Sequence, residues 1–476
     1  MLFFIILLIP VTLILMLVGV KYWRETVIAV LIWSLLEGVA RKWLLPSLQA
    51  PILQMKDIAL IAVYIGYMIS PKTPLPEADK VKVLSTVFLV QAIYCFLEVL
   101  NPALPTPLLG FYGLKTYIIY VPLVFVIPEV IRTREHVQKL VLWTCIASIP
   151  ISLLGLYQFS QPATSWVNQY VSHEEGVASV ASMFGKEEGT GDFMYGRART
   201  ASTFSYIGGF ITYLLAAVPL AGSVLFRTNV PQKTVWCAIA AVVLLLGGAF
   251  TTGSRTTIVV FAAVIPLSIL IAGSKGLIPL ATTLRLGATT LLMSAATLLL
   301  FSGAASAFWY RANNADSTTD RLASPFTELI DSIPMAPLLG TGIGSNSNAG
   351  SSIVDSSYSW LPYVVEGEPS RVLQDLGIGG FAIVYLMKIL VCYLCVKWLF
   401  WSRSKLFVAT YLACACFLLP NIVITTINNP TGGLYYWSFA GLALAMYRME
   451  RAERRAAEER ATAPRVASRP QEPATA

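Results

Sequence analysis

TVWCAIAAVVLLLGGAFTTGSRTTIVVFAAVIPLSILIAGSK, residues 234–275, decides the fold. It holds two apolar runs, 234–252 and 256–274, each close to the roughly 20 residues that an α-helix needs to cross a hydrocarbon core about 30 Å thick. The break between them, Gly253-Ser254-Arg255, is too short to hold a domain, so the second run has to return through the same bilayer. Lys233 and Lys275 flank the pair at one side, and Arg255 stands at the other.

The pattern extends outward over most of the chain. With 56% hydrophobic and 13% charged residues among 476, the composition lies outside that of a soluble globular domain. About thirteen spanning segments are expected, near 2–20, 25–40, 57–71, 82–101, 115–131, 138–158, 204–226, 234–252, 256–274, 284–303, 373–400, 406–425 and 432–447. Merging the first two, which are short and close, gives twelve and moves the N-terminus to the cytoplasm. A transmembrane β-barrel would instead show alternating strands of about ten residues, and none is visible. The expected class is therefore all-α: a polytopic integral membrane protein with one transmembrane domain over 1–447. Segment 2–20 lacks a basic start and a small-x-small site before Lys21, so it reads as a helix rather than a secretion signal.

Orientation follows from the excess of Lys and Arg in short cytoplasmic loops. The Arg/Glu/Ala-rich stretch after Tyr447 anchors the count as a cytoplasmic tail, expected to be disordered over 448–476. Counting back puts Arg403 and Lys405, Lys275, Arg227 and Lys233, Arg132, Arg134 and Lys139, Lys72 and Lys80, and Lys21 and Arg24 on the same side. The net charge of +8 is then topology signal and tail, which argues against nucleic acid as a partner. All seven cysteines fall inside expected spans, so no disulfide can staple an outer loop. Cys392 and Cys395 make a CxxC in spacing only.

Two long connections, 159–203 and 304–372, fall outside the cytoplasm, where function is expected to concentrate. Positive charges that persist on that side need a reason: Arg41, Lys42, Lys56, Arg197, Arg199, Arg255, Arg321 and Arg371. One reason is pairing with acids, since Glu37–Arg41, Glu368–Arg371 and Arg371–Asp375 have helical ion-pair spacing. The other is a phosphate ligand, because guanidinium forks match phosphate oxygens and stay charged.

Thr251 to Thr256 combines a Gly, hydroxyl donors and an Arg at a helix N-terminus, a setting that favours anions. Gly340 to Asn346 looks like a nucleotide loop but lacks the βαβ context and the Lys-Ser/Thr ending. Glu366 to Gly380 leads an acidic pair into a helix; Glu366 or Glu368 could act as a general base or simply cap that helix. His136 falls in a cytoplasmic loop and His173 reads as solvated. No metal-binding motif appears, so no metal or other cofactor is expected. Trp309, Tyr310, Tyr358, Trp360 and Tyr363 could stack on sugar rings or sit at the membrane interface.

These residues resemble the O-antigen ligase and polymerase superfamily, which includes bacterial exopolysaccharide polymerases. The resemblance rests on Arg199 to Phe204, Gly253-Ser254-Arg255, Asp320-Arg321 with Pro337 to Gly344, and Glu368 to Gly377, in that order. Glu37 to Trp43 with Lys56-Asp57 looks like the polymerase-type branch. The resemblance implies a GT-C-like, metal-independent inverting glycosyltransferase of the inner membrane, its donor an undecaprenyl-diphosphate-linked oligosaccharide at the periplasmic face. It puts Arg255 and Arg321 on the diphosphate, with Arg199, Arg41 and Lys42 beside them, and the acceptor-activating base near Glu368. Arg371, Arg197, Trp360 and Tyr363 are the expected glycan contacts. Membrane lipids, a chain-length regulator and a flippase are the expected partners. Ligases usually carry a His just before this helix; Glu368-Pro369-Ser370 stands here instead, which favours a polymerase. The rival readings are a ligase, a lipid-linked glycan flippase or transporter, and an export scaffold.

Overall fold

The computed structural model describes residues 2–71, 78–171, 178–180, 198–227, 230–277, 318–347 and 365–462, together with 279, 299, 301–303, 305, 306, 309, 353, 354 and 361. At 2–9, 78–81, 178–180 and 318–322 only the backbone is described.

Apolar runs become helices because a backbone in hydrocarbon has to satisfy its own hydrogen bonds. In chain order they are α1 (Leu2–Lys21), α2 (Trp23–Val39), α3 (Gln49–Ile69), α4 (Ala78–Glu98), α5 (Pro107–Ile118), α6 (Leu123–Val130) and α7 (Arg134–Ser160). After a short antiparallel ladder, β1 (Gln169–Val171) with β2 (Ala178–Val180), follow α8 (Ile207–Gly222), α9 (Gln232–Thr251) and α10 (Arg255–Ser274). Then come α11 (Thr318–Ser332), α12 (Glu368–Trp401), α13 (Lys405–Leu418) and α14 (Pro430–Thr462). Each expected span overlaps one or two of these helices except 284–303, most of which lies outside the described residues.

By length and hydropathy, 7 of the described helices can cross a membrane, or up to 8 if α5 and α6 make one span bent by 43°. This is a polytopic all-α membrane protein, with fewer helices meeting that criterion than the thirteen expected. The bend falls at Ile119 to Pro122, where Pro122 cannot donate to the helix. Tyr64 donates to the Ile119 carbonyl there at 2.5 Å. At the centre, α8 and α13 are the most enclosed spans, while α7 and α10 face outward.

The longest helix is not one helix. Gly377 has φ 65° and ψ −174°, outside helical space. A straight helix would separate Glu368 and Lys388 by about 30 Å, yet their side chains form an ion pair of 2.7 Å. Residues 368–376 therefore fold back beside 378–390 as a helical hairpin, and the membrane crossing begins after Gly377.

The helix ends form two faces. On the tail face, Glu129 pairs with Arg132 (2.7 Å) and Arg448 (3.1 Å), Glu450 accepts from Ser402 (2.5 Å) and Arg454 (3.0 Å), and Arg134 grips Glu453 (2.6 Å). These bonds hold 448–454 to the bundle and α14 runs on to Thr462, so the disorder expected from 448 does not begin there. Residues 463–476 lie outside the described set.

Candidate functional site

The opposite face gathers residues 161–171 and 198–205, the α9–α10 turn, the Gly-rich run and the start of α12. The segment Arg199 to Ser205 is its hub. Thr200 N donates to Thr251 O (3.0 Å), the Thr200 and Thr251 hydroxyls meet at 2.6 Å, and Arg199 Nε donates to Thr252 O at 2.9 Å. Arg199 is thus brought to the same turn as Arg255, two stretches separated by more than fifty residues in sequence. Gly253 takes φ 62° so that α9 can reverse into α10, and Arg255 occupies the first turn of α10. The Ser254 cap is long, with Thr257 N to Oγ at 3.5 Å.

Ser202 is the only non-glycine residue with positive φ (50°) among those described. That conformation is costly and persists where surrounding bonds fix it. Ser202 N donates to Gln158 Oε1 (2.7 Å), its hydroxyl to Ile151 O (2.6 Å), and its carbonyl accepts from Lys42 Nζ (2.6 Å). Gly38 lets α2 approach this loop: a Cβ there would lie 2.3 Å from Thr203 O.

Beside the hub lies a buried charged cluster. Glu37 accepts from Arg41 (3.3 Å) and from Lys56, while Asp57 pairs with Lys115 (2.6 Å) and accepts from Tyr120 (2.9 Å). The expected Glu37–Arg41 pair therefore forms. Arg41 also donates to Gln49 O (3.0 Å) and Ser205 Oγ (2.9 Å), so its guanidinium is already committed. Four cations, Arg41, Lys42, Lys56 and Lys115, face two carboxylates. Lys42 makes no ion pair with a described carboxylate. It sits past the end of α2 in a π-helical turn, Ala40–Leu44, under the Trp43 ring at 4.4 Å. Burial pushes its ammonium down from 10.5 to about 7.

The Gly-rich run closes around an internal anion. The Asp375 carboxylate accepts from Ser345 Oγ (2.6 Å), Asn346 N (2.8 Å), Asn346 Nδ2 (3.0 Å), Tyr117 OH (3.0 Å) and Gly344 N (3.3 Å). Thr341 N and Gly342 N bind the Gln374 and Asp375 carbonyls freed at the Gly377 break. This loop holds the hairpin, and its amides that turn to Asp375 are spent on that carboxylate.

Glu368 is 1% exposed and takes Lys388 Nζ (2.7 Å), Thr426 N, Thr426 Oγ1 (3.0 Å) and Ile427 N (2.6 Å). A base needs an oxygen turned to the acceptor hydroxyl. The expectation of Glu368 in that role gives way to a structural one, because both its oxygens are enclosed. Glu366 is exposed at the mouth of the hairpin. The backbone N–H groups of Glu366 and Gly367 bind Glu328 Oε2 at 3.2 and 2.7 Å, which caps this helix from α11. Arg371 bonds Val365 O at 3.0 Å rather than Glu368 or Asp375, whose oxygens are taken.

Arg321 lies on the backbone of α11, its side chain outside the described set. Arg197, His173, Tyr310, Tyr358, Trp360 and Tyr363 also lie outside it; Trp309 is exposed. Among the described residues no His, Cys, Asp and Glu gather at metal-binding distance. Two buried charges that organise this face were not singled out from the sequence. Lys388, a charge in mid-span, was visible as such; the role of Asp375 depends on long-range folding and had no local signal. No family model and no curated protein matches this chain.

Proposed function

We propose that the chain is a glycosyltransferase at the periplasmic face of the bacterial inner membrane. It polymerises undecaprenyl-diphosphate-linked oligosaccharide repeat units into exopolysaccharide or O-antigen. The observation that carries this reading is the Arg199–Thr252 contact, which joins the segments 199–204 and 251–255 at one helix-end face. Glu366 stands on the same face, at the mouth of the α12 hairpin.

In this mechanism a hydroxyl of the acceptor sugar gives its proton to Glu366 and its oxygen attacks the anomeric carbon of the donor. The bond from that carbon to the lipid diphosphate breaks with inversion. Arg255, with Arg199 and Arg321, takes up the charge that develops on the departing diphosphate. Glu368 is a positioning residue: it ties the hairpin to Lys388 and to the α13–α14 link. Arg371 is assigned to the glycan, and so are Arg197, Trp360 and Tyr363, which lie outside the described residues. No metal is invoked.

A flippase would use ionisable groups within the membrane, and the buried Lys388–Glu368 pair is the feature that favours that second reading. Glycan profiling of a deletion strain separates the two. Single repeat units held on the carrier at the periplasmic face mark a missing polymerase; units trapped on the cytoplasmic side mark a missing flippase. Finished polymer left on the carrier marks a missing ligase.

A further inference from the structure

Between α10 and α12 the chain carries a run of exposed apolar side chains. Phe326 and Ile330 share one face of α11, and Ile333, Met335, Leu338 and Leu339 follow; all six are 50–74% exposed. Glu328 stands about 200° around the helix from both Phe326 and Ile330, so the apolar side looks away from the hairpin that Glu328 caps. Single exposed apolar residues are ordinary, but six in one short stretch mark a surface for a protein or a membrane. With 15 residues, α11 is too short to cross a core about 30 Å thick.

Contacts at both ends fix the depth of this stretch. Lys388 lies about 16 Å past Gly377 along the crossing part of α12, and it holds Glu368 at 2.7 Å. The start of the hairpin is therefore sunk beside the membrane crossing rather than raised above it. There α11 docks: Glu328 Oε2 accepts from Gly367 N at 2.7 Å, and a Cβ on Gly367 would lie 3.4 Å from Pro325 Cα. At the other end Leu338 backs onto Gly377, and Leu339 O accepts from Asn101 Nδ2 at 3.3 Å. The run thus meets the exposed apolar sides of α12 (Ile378, Leu386, Ile389) and α4 (Ile93, Leu97). An apolar face at that depth, continuous with the outward surface of a spanning helix, is covered by acyl chains. The described side-chain charges of α11, Glu328 and Asp331, are acidic, so apolar burial rather than attraction to anionic headgroups holds the helix there.

We infer that α11 is an in-plane helix seated in the leaflet opposite the tail face, with Phe326, Ile330 and Ile333, and then Met335, Leu338 and Leu339, against lipid acyl chains. Part of the 304–372 connection is then a membrane strap and not a solvated loop. Because Glu328 on its other side caps the hairpin, the seat of α11 in the leaflet also sets the depth at which Glu366 opens. The inference rests on the membrane fold and does not depend on glycosyl transfer.

The test uses the full-length protein in phosphatidylcholine nanodiscs, with a thiol-reactive fluorophore on Ile330→Cys or on Asp331→Cys. The unsubstituted chain, treated identically, gives the background from its seven native cysteines. Phospholipid carrying a nitroxide on its acyl chain should cause a larger loss of fluorescence at Ile330→Cys than at Asp331→Cys, and iodide in the buffer should do the reverse. Added salt should leave this pattern in place. Iodide quenching at Ile330→Cys as strong as at Asp331→Cys would show a water-facing stripe and overturn the inference. So would protection of Ile330→Cys from both quenchers, which would show a protein partner or a second copy on that face. Should Ile330→Cys not fold, Met335→Cys takes its place in the same comparison, with the same outcomes.

Discussion

At the residue scale, Glu366 and Glu368 stand two positions apart and have opposite environments. Glu368→Gln strands the buried Lys388 ammonium, so it should destabilise the protein by about 3–5 kcal/mol, read as a lower melting temperature in detergent. Glu366→Gln should leave the melting temperature unchanged and abolish transfer; unchanged transfer would remove Glu366 from the mechanism. Lys42 adds a pH dependence. Its folded value near 7 lies below the ordinary 10.5, so between those values the unfolded chain binds more protons than the folded one. Stability should therefore rise with pH across that window, with the full cost present below pH 7. Lys42→Met should flatten this rise, measured by urea or thermal unfolding at pH 6 and pH 10. The charges themselves were legible in the sequence, and so was the Glu37–Arg41 pair at helical spacing. That Glu368 would be enclosed was not, because Thr426 and Ile427 come from a distant link.

At the element scale, helix positions follow apolar runs closely, while breaks follow tertiary contacts. The interruption of α12 shows this: the span expected at 373–400 reads as one helix, but Gly377 turns it back, and the Gly-rich loop supplies donors to the freed carbonyls. Gly377→Ala would place a Cβ 2.2 Å from Leu338 O in a left-handed backbone. It should cost more than about 1–2 kcal/mol and loosen Asp375 from its loop, which hydrogen exchange over 341–347 would detect. The tail divides likewise. Removing 463–476 should leave stability unchanged, whereas truncation after Tyr447 removes Arg448, Glu450 and Glu453 and should lower the melting temperature. Composition marked 448–462 as part of a disordered tail; the ion pairs to Glu129 and Arg134 and the hydrogen bond from Ser402 make it part of the fold.

For the whole molecule, hydropathy sufficed for the class, because few chains other than a bundle of membrane helices can hide so much apolar surface. It did not reveal which helix ends converge. The site face comes from contacts that span most of the chain: Arg41 with Ser205, Arg199 with Thr252, Tyr117 with Asp375, and Glu368 with Thr426. The most direct test of polymerisation at this face is the lipid-linked and polymeric glycan profile of a deletion strain complemented with wild type or Arg255→Ala. The variant should insert normally, yet lose transfer by about 10²–10³, and leave single repeat units on undecaprenyl diphosphate that wild type converts to polymer. Near-normal polymer from Arg255→Ala, or repeat units confined to the cytoplasmic side of the deletion strain, would contradict it.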